Sequence, residues 1–475
     1  MPQLLLHIVP DPSVLLCVKH LDLSHRKYSS SEDNLSLSPD EPLRRVVKRL
    51  IAELAAISSG VSYLKAPLLS WTNQIVGDSS SSNHGTILLL LACTNVQSLL
   101  LDRRWELYNV HSDASEVVAD LVHQNRDESQ VAAPLGKLHT LKWMYDHTQE
   151  QDTREFQLTS ILPFLALRTM RHVHVLGGDF KSYKNDDLWD FFRPLGSEVE
   201  VLDLEAVNLN ANASAALLRD MKSLRVLKLD YKTIHDAHHT FKCQNILDRI
   251  AEVAGSSLEV LSLTINWSLP PSDLDPPLRS LRRFVRLKEL EITTSLFFDW
   301  VFMAQYSWEI EDLLSFQTWQ SRLDDHAKGA QPPQLTRLLH EDSLRSLEQI
   351  EIHVPATKAD HVCLHRLVDC LRGEPTTHEI RCGSNVAGAG EAVFPSCPQL
   401  CRVDIFLHER TYDRFEFEPR LAQEFIGESR AFLEDIPVCA VHVVEESDDY
   451  IDEHGRWTVE TSASTVRSAR EVDGS

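Results

Sequence analysis

A short pattern, in which an apolar residue is followed three and five positions later by two more, recurs along this whole sequence. Its clear copies are VKHLDL (18–23), VQSLLL (96–101), LHTLKW (138–143), MRHVHV (170–175), VEVLDL (199–204), LRVLKL (224–229), LEVLSL (258–263), LKELEI (287–292), LEQIEI (347–352), LCRVDI (400–405) and the weaker VCAVHV (438–443). A degenerate copy falls at Val61, Leu64 and Ala66. A leucine-rich sequence produces single copies by chance. So many copies, however, indicate a true repeat, and most of them follow a helical stretch.

The spacing within one copy predicts a short β-strand. Its last two apolar residues are two positions apart and therefore point to the same side of a strand. The first apolar residue lies just before the strand and is also expected to point into the core. Strands this short need neighbours, so they are expected to stack into a parallel sheet with a continuous core. The segments before Val173, Leu227 and Leu261 have helical patterns, and Gly255 is expected to end the last of these helices. The predicted fold is therefore α/β, an irregular leucine-rich-repeat solenoid of short parallel strands with helical return segments.

The repeat is irregular, and this sets the predicted domain boundaries. Clear copies are spaced about 25 to about 60 residues apart, against 20–29 for regular leucine-rich repeats, and the regular asparagine position is missing. We predict one solenoid over residues 1–445 with polar loop insertions, and an acidic, polar, disordered tail over 446–475. A helical insertion near 295–326 concentrates aromatic residues, which suit either a binding hot spot or packing on the flank of the solenoid.

Several phrases carry a family resemblance: LLLHIVPDPSVLLCVKHLDLS near the N-terminus, LLLLACTNVQSLLL, ILPFLALRTMRHVHV and VEVLDLEAVNL. In these the chain resembles the fungal F-box-type proteins with irregular leucine-rich repeats. The resemblance implies that the repeats hold a substrate, while an N-terminal F-box binds the Skp1 adaptor of a cullin ubiquitin ligase. No F-box pattern precedes the repeat strand at Val18, so the ligase role is not carried over to any residue here.

The formal net charge of −23 restricts the class of partner. Such an acidic chain is repelled by nucleic-acid phosphates and by anionic lipid, so neither nucleic acid nor membrane is expected to bind. A protein segment rich in Lys and Arg fits better, although the charge also serves solubility. Nine cysteines without a regular framework, and an N-terminus without a basic start, predict a cytoplasmic or nuclear protein.

The residues between the apolar positions are expected to project from the strands and to form the binding face. Carboxylates predominate among them, and stacked strands about 4.8 Å apart would align these groups into a ladder that a basic segment could neutralise. The alternative is that the overall acidity alone produces this bias. The candidate partner-binding residues are Asp203, Glu205, Asp230, Glu289, Glu291, Glu351 and Asp404.

The sequence has none of the motifs typical of enzymes: we find no GxSxG, GxxxxGK[ST] or HExxH. The histidines and cysteines around 235–243 and 361–370 lack the paired spacing of a zinc site, so no metal and no cofactor is predicted. The expected function is a non-enzymatic scaffold resembling the substrate-recognition half of an F-box protein. The alternatives are a complete ubiquitin-ligase substrate receptor whose F-box is missing from this gene model, or an unrecognised α/β enzyme.

Overall fold

The chain forms a parallel β-sheet whose eleven strands, among the described residues, lie in chain order. The computed structural model describes residues 17–22, 49, 90, 93–102, 135–144, 158–179, 197–209, 211–231, 243–265, 281–293, 344–354, 399–408 and 439–444. Two compact units divide the chain, the first comprising Met1–Val207 with Arg219–Leu224, and the second Asn208–Leu218 with Arg225–Ser475. Each unit is described by itself.

The first unit contains five of the predicted strands. A 3-10 turn (Leu158–Ile161) and a short helix α1 (Leu162–Leu165) precede the fourth of them. The strands are β1 (His20–Asp22), β2 (Ser98–Asp102), β3 (Thr140–Met144), β4 (His172–Asp179) and β5 (Val201–Asn208).

The second unit contains six strands and two longer helices, α2 (Ala211–Leu218) and α3 (Cys243–Ala254). Its strands are β6 (Val226–Tyr231), β7 (Val260–Ile265), β8 (Glu289–Thr293), β9 (Gln349–Val354), β10 (Arg402–His408) and β11 (Cys439–Val444). In both units every strand begins one or two residues into a clear copy of the predicted pattern. The prediction of a parallel sheet of the α/β class is therefore confirmed.

The apolar positions of the pattern form the core, as their spacing predicts. The two inward residues of β3, Leu141 and Trp143, and those of β8, Leu290 and Ile292, are all at most 1% exposed. Register keeps equivalent residues opposite one another, since Leu290 lies between Leu261 and Ile350. Burial of such a side chain contributes about 1.5–3 kcal/mol, so the repeated inward rows stabilise the sheet.

A turn before six of the strands extends the pattern beyond what the sequence indicated. In these copies the N–H of the first apolar residue donates to the carbonyl three residues earlier, as in Leu138 to Leu135 at 3.1 Å and Leu347 to Leu344 at 3.0 Å. Leu135 and Leu344 are themselves buried apolar residues. At these strands the turn adds one more side chain to the core.

Where β6, β7 and β8 begin, both backbone hydrogen bonds and ion pairs link neighbouring strands. The carbonyl of Glu259 accepts the N–H groups of Lys288 at 2.7 Å and Glu289 at 3.1 Å. Its carboxylate lies between Arg225 Nε at 2.9 Å and Lys288 Nζ at 3.1 Å. Hydrogen bonds from Arg225, and then from Lys288, lower the pKa of Glu259 from 4.5 to about 2.

Gly255 ends α3, as predicted, and close packing explains why glycine is needed there. Its N–H donates to the carbonyl of Ala251 at 3.1 Å. A Cβ atom at this position would lie 2.5 Å from the carbonyl oxygen of Ala251 and 2.7 Å from that of Arg283. Both obstacles are backbone atoms, so any larger residue would require the helix end to move.

Some predictions lie outside the described residues. These are the degenerate copy at Val61, the aromatic segment 295–326, the histidine and cysteine clusters around 235–242 and 361–370, and the tail 446–475. Among the described helices, none has both the length and the apolar character that crossing a membrane requires.

Candidate functional site

The strand register of the second unit brings three of the predicted binding residues into one row. Glu291 lies opposite Glu351, and Glu351 lies opposite Asp404 on the next strand. Ser262 precedes them in the same row on β7. Side chains at such positions leave the sheet on the side opposite the inward apolar rows, so the predicted ladder of carboxylates forms over three strands.

The remaining predicted residues occupy other positions. Glu289 is exposed and lies opposite Gln349, one row before the carboxylate ladder. Asp230 lies one row after it and accepts a hydrogen bond from the Thr264 hydroxyl at 2.8 Å. Asp203 and Glu205 belong to β5 in the first unit.

Asp404 does not project into solvent as the sequence analysis expected. Its side chain is 1% exposed. Arg402, two residues earlier on the same strand, donates from Nη2 to Oδ1 of Asp404 at 3.1 Å. A binding partner cannot contact a carboxylate that is buried in this way, so Asp404 is removed from the set of exposed candidates.

In the second unit, a histidine joins two carboxylates of the ladder to form what we name the second-unit cluster: Glu291, Glu351 and His353. The imidazole Nε2 of His353 lies 3.0 Å from Oε1 of Glu291. One donor atom from each of the three residues lies within 4.8 Å of the other two. His353 is two residues beyond Glu351 on β9, hence on the same face, and it reaches diagonally to Glu291 on β8.

Neighbouring side chains orient each member of the second-unit cluster. The Ser262 hydroxyl donates to Glu291, and Nε2 of Gln349 donates to Oε1 of Glu351 at 2.6 Å. The ring of His353 stacks on Phe406, with centroids 4.9 Å apart and an interplanar angle of 11°. The cluster is therefore held by contacts from three neighbouring strands.

The pKa values of the two carboxyl groups in the second-unit cluster shift in opposite directions, although burial acts to raise both. Burial raises the pKa of Glu351, and the charges of Glu291 and Asp404 raise it further. Burial also acts to raise the pKa of Glu291, but the hydrogen bond and charge of His353, with Ser262 and Lys228, together lower it below the ordinary value. Glu291 is thus favoured as a carboxylate, whereas Glu351 lacks comparable compensation.

The first unit has its own histidine–carboxylate group, which we name the first-unit cluster: His174, Asp203 and Glu205. Nε2 of His174 lies 3.0 Å from Oε1 of Glu205, and the three donor atoms again lie within 4.8 Å of one another. The hydrogen bond to Glu205 raises the pKa of His174, burial opposes this, and the charges of Glu205 and Asp203 add to it. The protonated imidazole is therefore favoured at this position.

Sequence reasoning missed that two histidines, His174 and His353, pair with carboxylates. It also missed the supporting roles of Ser262, Gln349 and Phe406. Aligning the copies of the pattern row by row would have placed His353 diagonal to Glu291. Which diagonal neighbours make contact depends on rotamers and on twist, and these are not encoded in one copy of the pattern.

Cys17, Cys93 and Cys401 are free thiols, and burial raises the pKa of Cys93 to about 11. A thiol with so high a pKa is a poor nucleophile, so Cys93 serves as a core residue.

The sequence matches no protein-family model and no curated protein. The functional argument therefore rests on the residues of this chain alone.

Proposed function

We propose that this chain is a non-enzymatic protein-interaction module, built as an irregular leucine-rich-repeat solenoid and acting in the cytoplasm or nucleus. The observation that carries the proposal is the row-by-row alignment of polar side chains on parallel strands in chain order. Such rows present many side chains in fixed positions, which suits recognition of an extended segment of another protein. The role resembles that of the substrate-recognition half of an F-box protein.

The charge of the rows supports a basic partner. In the second unit the polar face carries Glu289, Glu291 and Glu351, of which Glu289 is exposed. In the first unit it carries Asp203 and Glu205, both accessible to solvent. A segment rich in Lys or Arg would relieve the repulsion within these groups, and each unit offers such a surface by itself.

A defined peptide tests this proposal on the full chain. We expect a fluorescent Arg-rich peptide to bind, and Glu289→Lys to weaken its binding by about 5- to 10-fold, which corresponds to roughly 1 kcal/mol. The matched control is Glu252→Lys, which changes the net charge equally but lies on α3 rather than on the sheet. Equal weakening by both variants, measured by fluorescence anisotropy at fixed salt, would mean that net charge alone attracts the peptide.

A separate capture experiment tests the alternative of a complete ubiquitin-ligase receptor. Tagged protein is recovered from a native lysate, and the eluate is probed for the Skp1 adaptor and a cullin. Their recovery in stoichiometric amounts would replace the scaffold proposal with the ligase receptor. Recovery of a basic partner that is lost in Glu289→Lys but kept in Glu252→Lys would support the scaffold.

A further inference from the structure

Two carboxylates and an imidazole nitrogen converge on the polar side of β8 and β9. We propose that the second-unit cluster is a binding site for one divalent transition-metal ion, of the chemistry of Zn²⁺, with Nε2 of His353 and one carboxylate oxygen each from Glu291 and Glu351 as ligands. A bound ion would neutralise Glu291 and Glu351, two of the carboxylates counted above on the polar face, and would leave the exposed Glu289 as the acidic group offered there to a basic partner. Metal binding is a task that the partner-binding prediction for these residues did not include.

The distances suit such an ion with little movement. Zinc binds nitrogen and oxygen ligands at about 2.0–2.2 Å, so the donor atoms around it stand roughly 3–4 Å apart. The three donors of the cluster already lie within 4.8 Å of one another, and two of them, His353 Nε2 and Glu291 Oε1, are 3.0 Å apart. A ligand spacing of that size requires only a small movement of the donor atoms, and the ion would take the place of the hydrogen bond between His353 and Glu291.

The orienting contacts are those that metal ligands use. Metal-bound carboxylates and imidazoles are held from behind by further hydrogen bonds and packing, which fix their direction. Here Ser262 donates to Glu291, Gln349 donates to Glu351, and Phe406 stacks on the His353 ring. Each of the three ligands therefore has its own support, and the supports come from β7, β9 and β10.

The charge of the row favours a cation. Glu291, Glu351 and Asp404 follow one another on adjacent strands. Arg402 donates to Asp404, and the charge of Lys228 acts on Glu291, so the three carboxylates outnumber these two basic groups. Glu291 and His353 are 24% and 18% exposed, so solvent screens this repulsion incompletely. A divalent ion between Glu291 and Glu351 would neutralise both carboxylates.

The nitrogen ligand decides the class of ion. Calcium takes six to eight oxygen ligands, whereas imidazole with carboxylates is typical of zinc, manganese and related ions. The first-unit cluster has the same ligand types, but His174 and Glu205 are 29% and 46% exposed. Water competes more strongly there, so we assign the ion to the second-unit cluster.

Metal titration of the full-length, metal-stripped protein tests the proposal. Co²⁺ is added and its visible absorption recorded, and Zn²⁺ stoichiometry is measured by equilibrium dialysis. We expect wild type to bind one equivalent more than His353→Gln and Glu351→Gln, with a cobalt spectrum typical of nitrogen and oxygen ligands rather than thiolate. Glu348→Gln is the matched control, because it removes the same charge from an exposed position on the approach to β9, and it should keep the equivalent.

A graded variant guards against loss of folding. Ser262→Ala keeps all three ligands, and removing such an orienting hydrogen bond should weaken Zn²⁺ binding about 10-fold. Circular dichroism and urea unfolding identify any variant that has lost its fold. Retention of the equivalent in folded His353→Gln, or its loss in His174→Gln instead, would overturn the assignment, as would a tighter site for Ca²⁺ than for Zn²⁺.

Discussion

The first-unit and second-unit clusters contain the same histidine–glutamate pair at the same 3.0 Å distance, in different surroundings. In the first unit the imidazole and carboxylate are 29% and 46% exposed, and the pKa of His174 is raised above its ordinary value. In the second unit the corresponding exposed fractions are 18% and 24%, the pKa of Glu291 is lowered and that of Glu351 is raised. The surroundings of such a pair therefore set its chemistry as much as its own geometry does.

Those neighbours differ because the polar face is not equally covered. In the first unit Lys142 and His172 are exposed beside His174. In the second unit Ser262, Thr293 and Asp404 are each at most 4% exposed, although they occupy outward positions. Water can therefore screen the first-unit cluster, while carboxylates in the second unit act on one another at close range.

The inward apolar rows are buried in both units, so substitutions there should destabilise both units to a similar extent. The largest expected losses of stability lie in these rows. Leu141→Ala in β3 and Leu290→Ala in β8 each remove a side chain at most 1% exposed. Each should lower the free energy of unfolding by about 2–5 kcal/mol, measured by urea denaturation. The outward neighbours Lys142→Ala and Glu289→Ala should change it by less than about 0.5 kcal/mol. A small effect for only one leucine would mean that the two units do not share one core pattern.

These inward rows are the part of the fold that sequence could predict. The side-chain period of a strand is two, so LHTLKW alone indicates that Leu141 and Trp143 share a side, and both are buried. The buried residue three positions before several copies was missed. Leu135, Phe284 and Leu344 follow no strand period, and their role depends on the turn that each of them begins.

For the outward rows, the sequence could predict which residues align but not how buried they are or which side chains they contact. Sequence placed Glu291, Glu351 and Asp404 at equivalent points of successive copies, and the register aligns them. It could not show that Asp404 is buried, because burial of an outward residue depends on what other parts of the chain cover that face. Nor could it pair His353 with Glu291, since the diagonal contact joins residues 62 positions apart.

Removal of each histidine tests whether burial causes the difference between the two clusters. His353→Ala, with metal chelated, should lower the free energy of unfolding by about 1–3 kcal/mol, because it removes one of the two hydrogen-bond donors to the three-quarters-buried Glu291. It also removes the stacking on Phe406. His174→Ala should cost less than about 1 kcal/mol, because that pair is more exposed. Equal losses in urea denaturation would remove burial as the cause of the difference between the clusters.

Ion pairs at the strand starts allow a second comparison between the units. Glu259 contacts Arg225 and Lys288, whose side chains are more exposed than its own, so Glu259→Gln should lower stability by about 1 kcal/mol at neutral pH. The folded-state pKa is depressed from 4.5 to about 2, so this stabilisation is present above pH 4.5 and is lost as pH falls towards 2.

Urea unfolding of wild type and Glu259→Gln at pH 7 and pH 3 measures this loss as the difference between the two proteins. In the first unit, Glu200 makes a longer contact of 3.4 Å with Arg171, so Glu200→Gln is the control and should have the smaller effect. A difference between wild type and Glu259→Gln that does not shrink at low pH would contradict the electrostatic origin.

The smallest expected effect is the pH dependence of the first-unit cluster. The pKa of His174 is raised above 6.5, its ordinary value, so the protonated imidazole stabilises the folded state. That contribution is fully present below about pH 6.5 and is lost as pH rises through the folded-state pKa, because the unfolded chain binds fewer protons there. Wild type should therefore exceed His174→Gln in unfolding free energy by a few tenths of a kcal/mol more at pH 6 than at pH 9. The same difference should disappear in a Glu205→Gln background, since Glu205 is the main cause of the shift; if it persists there, Asp203 rather than Glu205 holds the proton on His174.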